Sequence, residues 1–499
     1  MFMQKRIQSA LISVFNKDGL DQIVRLMHDI GIVIYSTGGT QEYLESLQIP
    51  VVSVETITSY PSILGGRVKT LHPKVFGGIL AIRNNDHLSQ LAHFQIPLID
   101  LVIVDLYPFQ ETLISGASEE EVIEKIDIGG ISLIRAGAKN YQDVVVIPSK
   151  SQYSKLEEII NNNGLSTLME RKILAEQAFK ISAAYDSCIY NFFNTDQTQG
   201  VPLRYGENPH QKAWYDGDLN ELFEILNGKE LSYNNILDID SAVQIINEFY
   251  EGDPCFTILK HNNICGIAIR ENKIDAWKDA LAGDPVSAFG GVFITNKAID
   301  LALAKEMDKL FYEVCIAPDF EVDALELLCL KKNRILLKLK NFPNYSISKR
   351  SALNGTLVQE MDKEGSTKSS IKQVTQKGLS SQQIDDVLFA EICAKHLKSN
   401  AITVVKNKQL IGMGCGQTSR IDSCEQALEK ALTMGFSTKG AVIASEAFFP
   451  FSDCVELASK YDISCIIQPG GSMNDDKSIQ KANELGIAMV FSGTRHFKH

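Results

Sequence analysis

The 499-residue sequence has no apolar run approaching the ~18 residues that would span a bilayer. Its ten cysteines form no CxxC pair, which removes the usual frameworks of zinc ribbons and disulfide scaffolds. They stand singly in apolar segments (Cys188, Cys315, Cys465) and read as buried, reduced thiols. Basic charge is also short. Forty-nine Lys and Arg against 61 Asp and Glu leave a net charge of -12, so a basic stripe for nucleic acid is not expected, although local phosphate pockets stay open. The opening MFMQKRIQSALISVF imitates a signal peptide, but Gln8 and Ser9 interrupt it. Asn16, Lys17 and Asp18 then arrive before any small-residue cleavage site. It reads as a first strand, in a cytoplasmic protein.

What is present is ordinary globular material: 44% hydrophobic and 22% charged residues, in a chain long enough for several domains. Over the first ~150 residues short apolar runs alternate with amphipathic segments. ALISVF, IVIYST, LVIVDLYPF and DVVVIP read as strands. GLDQIVRLMHDIG reads as a helix with Leu20, Ile23, Val24, Met27 and Ile30 on one face, and TQEYLESLQ as another. The alternation implies a parallel α/β sheet. Residues 151–192 read as helical. The polar stretch from Asn194 to Pro202 marks a boundary between a domain over 1–195 and one over 200–499. KEGSTKSSIKQ, 363–373, reads as an exposed loop or strap within a loop region near 340–375. No short-period repeat is visible.

Three segments of the first half suit an anionic nucleotide. Ser36, Thr37, Gly38, Gly39 and Thr40 stand between a strand and a helix, where backbone N–H groups and the helix N-terminus favour phosphate. GGRVKTLHPK gathers Arg67, Lys69, Thr70, His72 and Lys74. IDIGGISLIRAGAKN places Asp127 before a second Gly-Gly, then Arg135 and Lys139 at i and i+4 of a helix. Tyr107 sits at a strand end. Each segment alone also has a plain reading as a turn or a solvated face. Together, RVKTLHPK, LYPF and DIGG…RA.AKN resemble the IMP cyclohydrolase domain of the bifunctional purine enzyme, whose fold is similar to methylglyoxal synthase. The resemblance covers roughly 8–195. It implies that Lys17, Ser36, Thr37, Gly38, Gly39, Thr40 and Thr70 hold the phosphate, with Arg67 also toward substrate. It places the catalytic candidates Lys69, Tyr107, Asp127 and Lys139 around the base. One departure is Phe15, in Ser-Val-Phe-Asn-Lys, where the family commonly has serine.

In the second half TILKHNNICG ends an apolar strand with Lys260 and His261. Imidazole relays protons near neutral pH, and a neighbouring ammonium favours its neutral form. LRYGENPHQ, GDPVSAFGG, KSNA, GCGQTSR, SEAFFPFSD and the terminal SGTRHFKH combine Gly or Pro with polar groups, as pocket loops do. Gly412, Gly414 and Gly416 imitate a dinucleotide fingerprint, but AITVVKNKQLIGMG reads as a hairpin turning at Asn407. NAD is therefore rejected.

In order and spacing these motifs resemble the AICAR transformylase domain, over roughly 200–499. The resemblance implies two cytidine-deaminase-like α/β subdomains and 10-formyltetrahydrofolate as cosubstrate. The HxE…PCxxC zinc signature is absent, so neither zinc deamination nor a metal site is expected. Lys260 and His261 become the catalytic pair. Arg204, Tyr205, Arg420 and Arg495 become nucleotide contacts, and Asn400, Phe449, Asp453 and His499 pocket residues. Ile264 stands where the family commonly has proline and is expected to replace that restraint by burial against an apolar wall. The implied activity is formylation of AICAR followed by cyclisation of formyl-AICAR to IMP, in a homodimer. The alternatives are a nucleotide sensor without catalysis and an enzyme with one active half. Keeping proton-transfer groups in both halves argues against both.

Overall fold

The computed structural model describes residues 4–194 and 200–499. It divides into two compact units, Met1–Gln197 and Thr198–His499. Residues 195–199, within the expected boundary segment, lie outside the described residues.

The first unit is a parallel sheet in the order Val51–Ser53, Val33–Ser36, Ser9–Val14, Leu101–Asp105, Val145–Ile147. Helices cover both faces, so the central strands are apolar along their length: Ala10, Leu11, Ile12, Leu101, Val102 and Ile103 are fully buried. The Leu20–Asp29 helix buries Leu20, Ile23, Val24 and Met27, the expected i, i+3, i+4, i+7 stripe, while Ile30 falls at its C-cap. Tyr153–Asn161 and Leu168–Phe193 supply the two C-terminal helices, the second opened by a Thr167/Glu170 capping box. The short helices Pro73–Leu80, Asn85–His93, Phe109–Ile114 and Glu119–Ile123 were not read from sequence. Each is too short to carry much of a periodic signal.

The second unit holds a mixed sheet with an internal duplication. Its first half runs helix Tyr233–Asn247, hairpin Cys255–Lys260/Asn263–Ile269, helix Lys273–Gly283, strand Val292–Thr295, helix Leu301–Met307, strand Val314–Ala317, helix Val322–Cys329, strand Ile335–Leu339. The second half repeats it: helix Ser381–Lys395, hairpin Ile402–Lys406/Gln409–Gly414, helix Arg420–Thr433, strand Val442–Ser445, helix Asp453–Lys460, strand Cys465–Gln468, helix Asp475–Glu484, strand Ala488–Phe491. The hairpins meet at the centre, where Ala268 pairs with Gln409. One apolar layer, under Tyr233–Asn247 and Ser381–Lys395, runs across both halves, and each half has its own layer on the other face. The hairpin turning at Asn407 is as read from sequence. The expected loop region near 340–375 instead carries an exposed hairpin, Ile347–Ala352/Gly355–Glu360, whose polar faces gave no apolar alternation to read. Lys372–Gln373 pairs with the last strand.

Helix and hairpin touch backbone to backbone in both halves. A Cβ on Gly266 would overlap the Ala280 carbonyl, and one on Gly412 the Ala427 carbonyl. Gly412→Ala should therefore destabilise the second unit by about 1–3 kcal/mol through overpacking. Gly365→Ala, with open space around it, should not. Calorimetry of the two variants checks this, and equal melting temperatures would contradict the close approach.

Candidate active sites

In the first unit, Ser9–Val14 lies between Val33–Ser36 and Leu101–Asp105, so the chain departs to opposite sides and a crevice opens at the strands' carboxyl ends. Thr37 precedes the Gly38–Ser46 helix, whose first N–H groups have no intrahelical partner. Gly38 has φ 56°, a conformation glycine adopts without a Cβ penalty. A Cβ there would stand 2.7 Å from the Lys69 Nζ, and the Lys69 stem also lies against Gly66. Lys69 thus places an ammonium over the turn. Gly39 is open, with nothing within 4 Å of a Cβ.

The hydroxyls behave differently from expectation. Ser36 donates to the Ile12 carbonyl at 2.8 Å and Thr40 to the Val14 carbonyl at 3.0 Å, and both are buried. They brace the first strand, because the helix start packs directly upon it. Thr37 donates to Glu55 at 2.9 Å. The Lys17 ammonium donates to the carbonyls of Val14 (3.0 Å) and Phe15 (2.9 Å), capping the strand end.

Thr70 is buried, and a Cβ on Gly129 would stand 3.0 Å from its hydroxyl. Asp127 accepts the Gly130 N–H at 2.6 Å, and its own N–H donates to the Tyr185 hydroxyl at 2.8 Å. Burial raises the Asp127 pKa above its ordinary 3.8, against the opposing N–H groups of Gly130, Tyr107 and Ile131. Tyr107 is 44% exposed and meets Phe15 edge to face at 5.5 Å. The Lys125 ammonium lies 5.6 Å from the Phe15 ring and 5.9 Å from that of Tyr107. Lys69, Thr70, Tyr107 and Asp127 are therefore linked through neighbouring contacts. Arg67 and Lys139 make other contacts. Arg67 is exposed and paired with Glu124. Lys139 ends the Gly129–Lys139 helix, ~15 Å along its axis from the Gly-Gly start. It lines a separate cavity of about 650 Å³ with Arg135, Lys172 and Phe179.

In the second unit Lys260 closes its strand, and its Nζ donates to the Phe289 carbonyl at 2.7 Å, bringing the 283–291 loop to the pair. His261 is not on the strand as expected. It is exposed on the hairpin turn with Asn262, both at positive φ (53° and 60°), as a two-residue type I′ connection requires. Ile264 is 1% exposed in the central apolar layer, in agreement with the expected burial. The Cys415 thiol donates to Asn263 Oδ1 at 3.3 Å, linking the turn to the 414–420 loop.

That loop leads into a second cluster. Arg420 donates to Asn400 Oδ1 (2.7 Å), Ser445 Oγ (2.8 Å) and Glu446 Oε2 (2.5 Å). A cavity of about 390 Å³ is bounded by Asn400, Arg420, Phe448, Phe451, Asp453 and Phe497. Phe449 does not reach it. It is fully buried in the core, while Phe448 is 37% exposed. Both lie in the loop after the Val442–Ser445 strand, which turns Phe448 to the cavity and Phe449 into the core. The C-terminal segment is tied down. Ser399 and Lys498 exchange hydrogen bonds (2.9 and 3.1 Å), and the buried His496 lies 2.7 Å from Asp362. Arg495 lies 4.4 Å from the Phe497 ring and His499 5.5 Å from it, centroid to centroid. Arg204 lies over Tyr205 at 5.5 Å, in a loop joined to the Tyr233–Asn247 helix by Asn234 donating to the Glu207 carbonyl at 3.2 Å. Sequence reasoning named the SEAFFPFSD segment but not Phe448 and Glu446 within it.

A crevice with a helix start at the switch point of one unit, and in the other a Lys–His turn and an arginine-walled cavity, define an α/β enzyme with a polar constellation in each unit. Comparison with known proteins agrees. Residues 19–132 match the MGS-like domain family, and 137–430 match the family described as the AICARFT/IMPCHase bienzyme. Proteins named bifunctional purine biosynthesis protein PurH are similar throughout. That of Bacteroides thetaiotaomicron is 53% identical over 100% of both chains. That of Clostridium perfringens is 45% identical, again over 100% of both. That of Persephonella marina is 43% identical over 99% of this chain and 100% of its own. A solved structure titled "Crystal structure of ForH" is 31% identical, covering 38% of this chain and 99% of its own, with a TM-score of 0.33. The chain belongs to the AICARFT/IMPCHase bienzyme family.

Asp127 yields a test with a definite sign. Its folded-state pKa is raised, so the fold disfavours the carboxylate. That cost is absent below the unfolded pKa and fully present above the folded one. Asp127→Asn, which keeps an acceptor for Gly130, should melt no lower than the parent at pH 7, with any gain fading as the pH falls toward 4. Cyclisation should fall by about a hundredfold or more. A variant that loses stability at pH 7, or that cyclises normally, would contradict this reading.

Proposed function

We propose that the second unit transfers the formyl group of 10-formyltetrahydrofolate to AICAR and that the first unit closes formyl-AICAR to IMP. The observation that carries this is the presence of a separate polar constellation in each unit of a chain matched end to end by bifunctional relatives. In formyl transfer the AICAR amine forms a bond to the formyl carbon while the bond from that carbon to the folate nitrogen breaks. His261, exposed on its turn, accepts the amine proton directly or through the carboxamide, and Lys260 protonates or polarises the departing nitrogen. The amine is a weak nucleophile, conjugated with its ring, so orientation and proton relay are what the protein supplies. The aromatic cavity beside Arg420 suits a planar ring, with Asn400, Asp453, Arg495 and His499 as polar contacts and Phe448 in the place first given to Phe449. Arg204 and Tyr205 are assigned to the nucleotide.

In cyclisation the carboxamide nitrogen attacks the formamide carbon of the same molecule, and the formyl oxygen departs as water. The open N–H groups of the Gly38–Ser46 helix hold the phosphate with Thr37, Gly38 and Gly39. Lys17, Ser36, Thr40 and Thr70 shape the crevice that receives it. Lys69 stabilises the developing oxyanion. Asp127, with its pKa raised, and Tyr107 move the protons. Arg67, toward substrate, and Lys139, beside the base, are assigned on the family resemblance alone. The enzyme acts in the cytoplasm as a homodimer. In support of self-association, the Leu168–Phe193 helix leaves Met169, Ile173, Phe179 and Tyr190 exposed.

A coupled assay following IMP from AICAR and 10-formyltetrahydrofolate tests the whole reading, and two variants separate its parts. His261→Ala should lower formyl transfer by about a hundredfold or more while added formyl-AICAR is still cyclised. Lys69→Ala should do the converse. Loss of both reactions from either substitution in a folded protein would overturn the two-site assignment. Absence of one reaction from the parent chain would favour a single active half.

A further inference from the structure

The duplication supplies an internal control for the catalytic turn. In each half the central hairpin closes through two non-glycine residues at positive φ: His261 and Asn262 (53°, 60°) in the first, Asn407 and Lys408 (52°, 51°) in the second. The strand ends correspond, with Lys260 paired to Asn263 and Lys406 paired to Gln409. Both lysines reach loop carbonyls, Lys260 that of Phe289 and Lys406 those of Ser437 and Lys439. Side chains other than glycine resist this backbone conformation, so something must hold it.

In both halves the holder is a carboxylate on the preceding helix, in the same place. Ser232 caps Tyr233–Asn247 and Ser380 caps Ser381–Lys395, and the aspartate comes six residues after each cap. Asp386 accepts the N–H groups of Asn407 (2.9 Å) and Lys408 (2.7 Å). Asp238 accepts that of Asn262 at 2.6 Å, with the His261 N–H also directed at it. The Asn262 amide, turned so that both its ends are satisfied, adds bonds to the Leu237 carbonyl (2.8 Å) and Ser241 hydroxyl (3.1 Å). The two turns thus share one support, yet only the first carries an imidazole.

We infer that Asp238 is a positioning residue for formyl transfer: its carboxylate fixes the left-handed His261–Asn262 turn and so aims the imidazole, whereas its twin Asp386 does the same work for a turn that carries no reacting group. This rests on the assignment of His261 as the proton-transfer group. Asp238 does not touch substrate. It acts by fixing where His261 stands, and small misplacements of a reacting group cost rate far more than they cost binding.

The test uses the full chain and compares the twins. Asp238→Ala and Asp386→Ala each remove one support, so both should lower the melting temperature. In formyl transfer, measured well below either transition, Asp238→Ala should lower kcat by about ten- to a hundredfold with KM little changed. Asp386→Ala should retain kcat within about twofold, and neither should change cyclisation. Where Asp238→Ala does not fold, Asp238→Asn, which keeps one acceptor, replaces it and should show a smaller loss in the same direction. A rescue separates aiming from mere stability. Adding Asn262→Gly to Asp238→Ala supplies a residue that adopts positive φ unaided, and should recover part of kcat. Equal kcat losses in the twins, full activity of Asp238→Ala, or no recovery with glycine would overturn the inference. Full formyl transfer by His261→Ala in the same assay would instead overturn the reading on which it rests.

Discussion

A strand covered on both faces has nowhere along its length to keep an unpartnered polar group. In the first unit Ala10, Leu11 and Ile12 are fully buried, as are Leu101, Val102 and Ile103 beside them. In the second unit Val292–Thr295, Val314–Ala317, Val442–Ser445 and Cys465–Gln468 are buried throughout. Polar chemistry is thereby driven to the strand ends, where loops and helix starts meet water. Lys69, Tyr107 and Asp127 gather at one such edge, Lys260 and His261 at another, and Arg420 at the start of its helix. A buried polar group that remains has to be matched. Arg420 is, by Asn400, Ser445 and Glu446.

The same constraint explains what the sequence disclosed. Apolar runs and their alternation with amphipathic stretches mark buried parallel strands, so the first unit's sheet and the Leu20–Asp29 stripe were legible. The Asn407 hairpin was legible because its strands are apolar and its turn polar. The duplication was not legible in the residues themselves and was expected only through the family resemblance, which implied two like subdomains. Its equivalence lies in burial, turn conformation and hydrogen bonding rather than residue identity: Lys260-His261-Asn262-Asn263 answers to Lys406-Asn407-Lys408-Gln409. Pairing across a sheet is non-local, and no local pattern in the chain records it.

Side-chain direction was the least legible property of the sites. Ser36 and Thr40 have the composition of phosphate ligands, yet a helix start packed onto the first strand turns their hydroxyls inward. Phe448 and Phe449 are chemically identical neighbours, and only the course of the loop after Val442–Ser445 decides which one meets the cavity. Lys139 shares a segment with Asp127, but it ends the Gly129–Lys139 helix, ~15 Å along the axis from that helix's start. Residue type and spacing select the segments that build a site. Which atoms reach it depends on packing between elements distant in sequence.

The two departures from the family pattern are absorbed in different ways, and magnitudes separate them. A proline at position 264 would restrict the unfolded chain, an effect of about 0.4–1 kcal/mol. Isoleucine at 1% exposure gains about 1.5–3 kcal/mol from burial. Burial is therefore the larger effect, and the strand beside the His261–Asn262 turn needs no ring to hold it. Phe15 is the opposite case. At 43% exposure it recovers only part of that burial, and no core residue would replace what it loses to water. Its contacts are the Tyr107 ring, edge to face, and the Lys125 ammonium. An aromatic pair of this kind contributes about 0.5–1.5 kcal/mol beyond the area it buries. A serine in its place would offer Tyr107 no such partner. Phe15 therefore acts locally: it orients the tyrosine at the mouth of the first-unit crevice, while the strand behind it is held by Asp105, which accepts the Asn16 N–H at 2.9 Å whatever side chain stands at position 15.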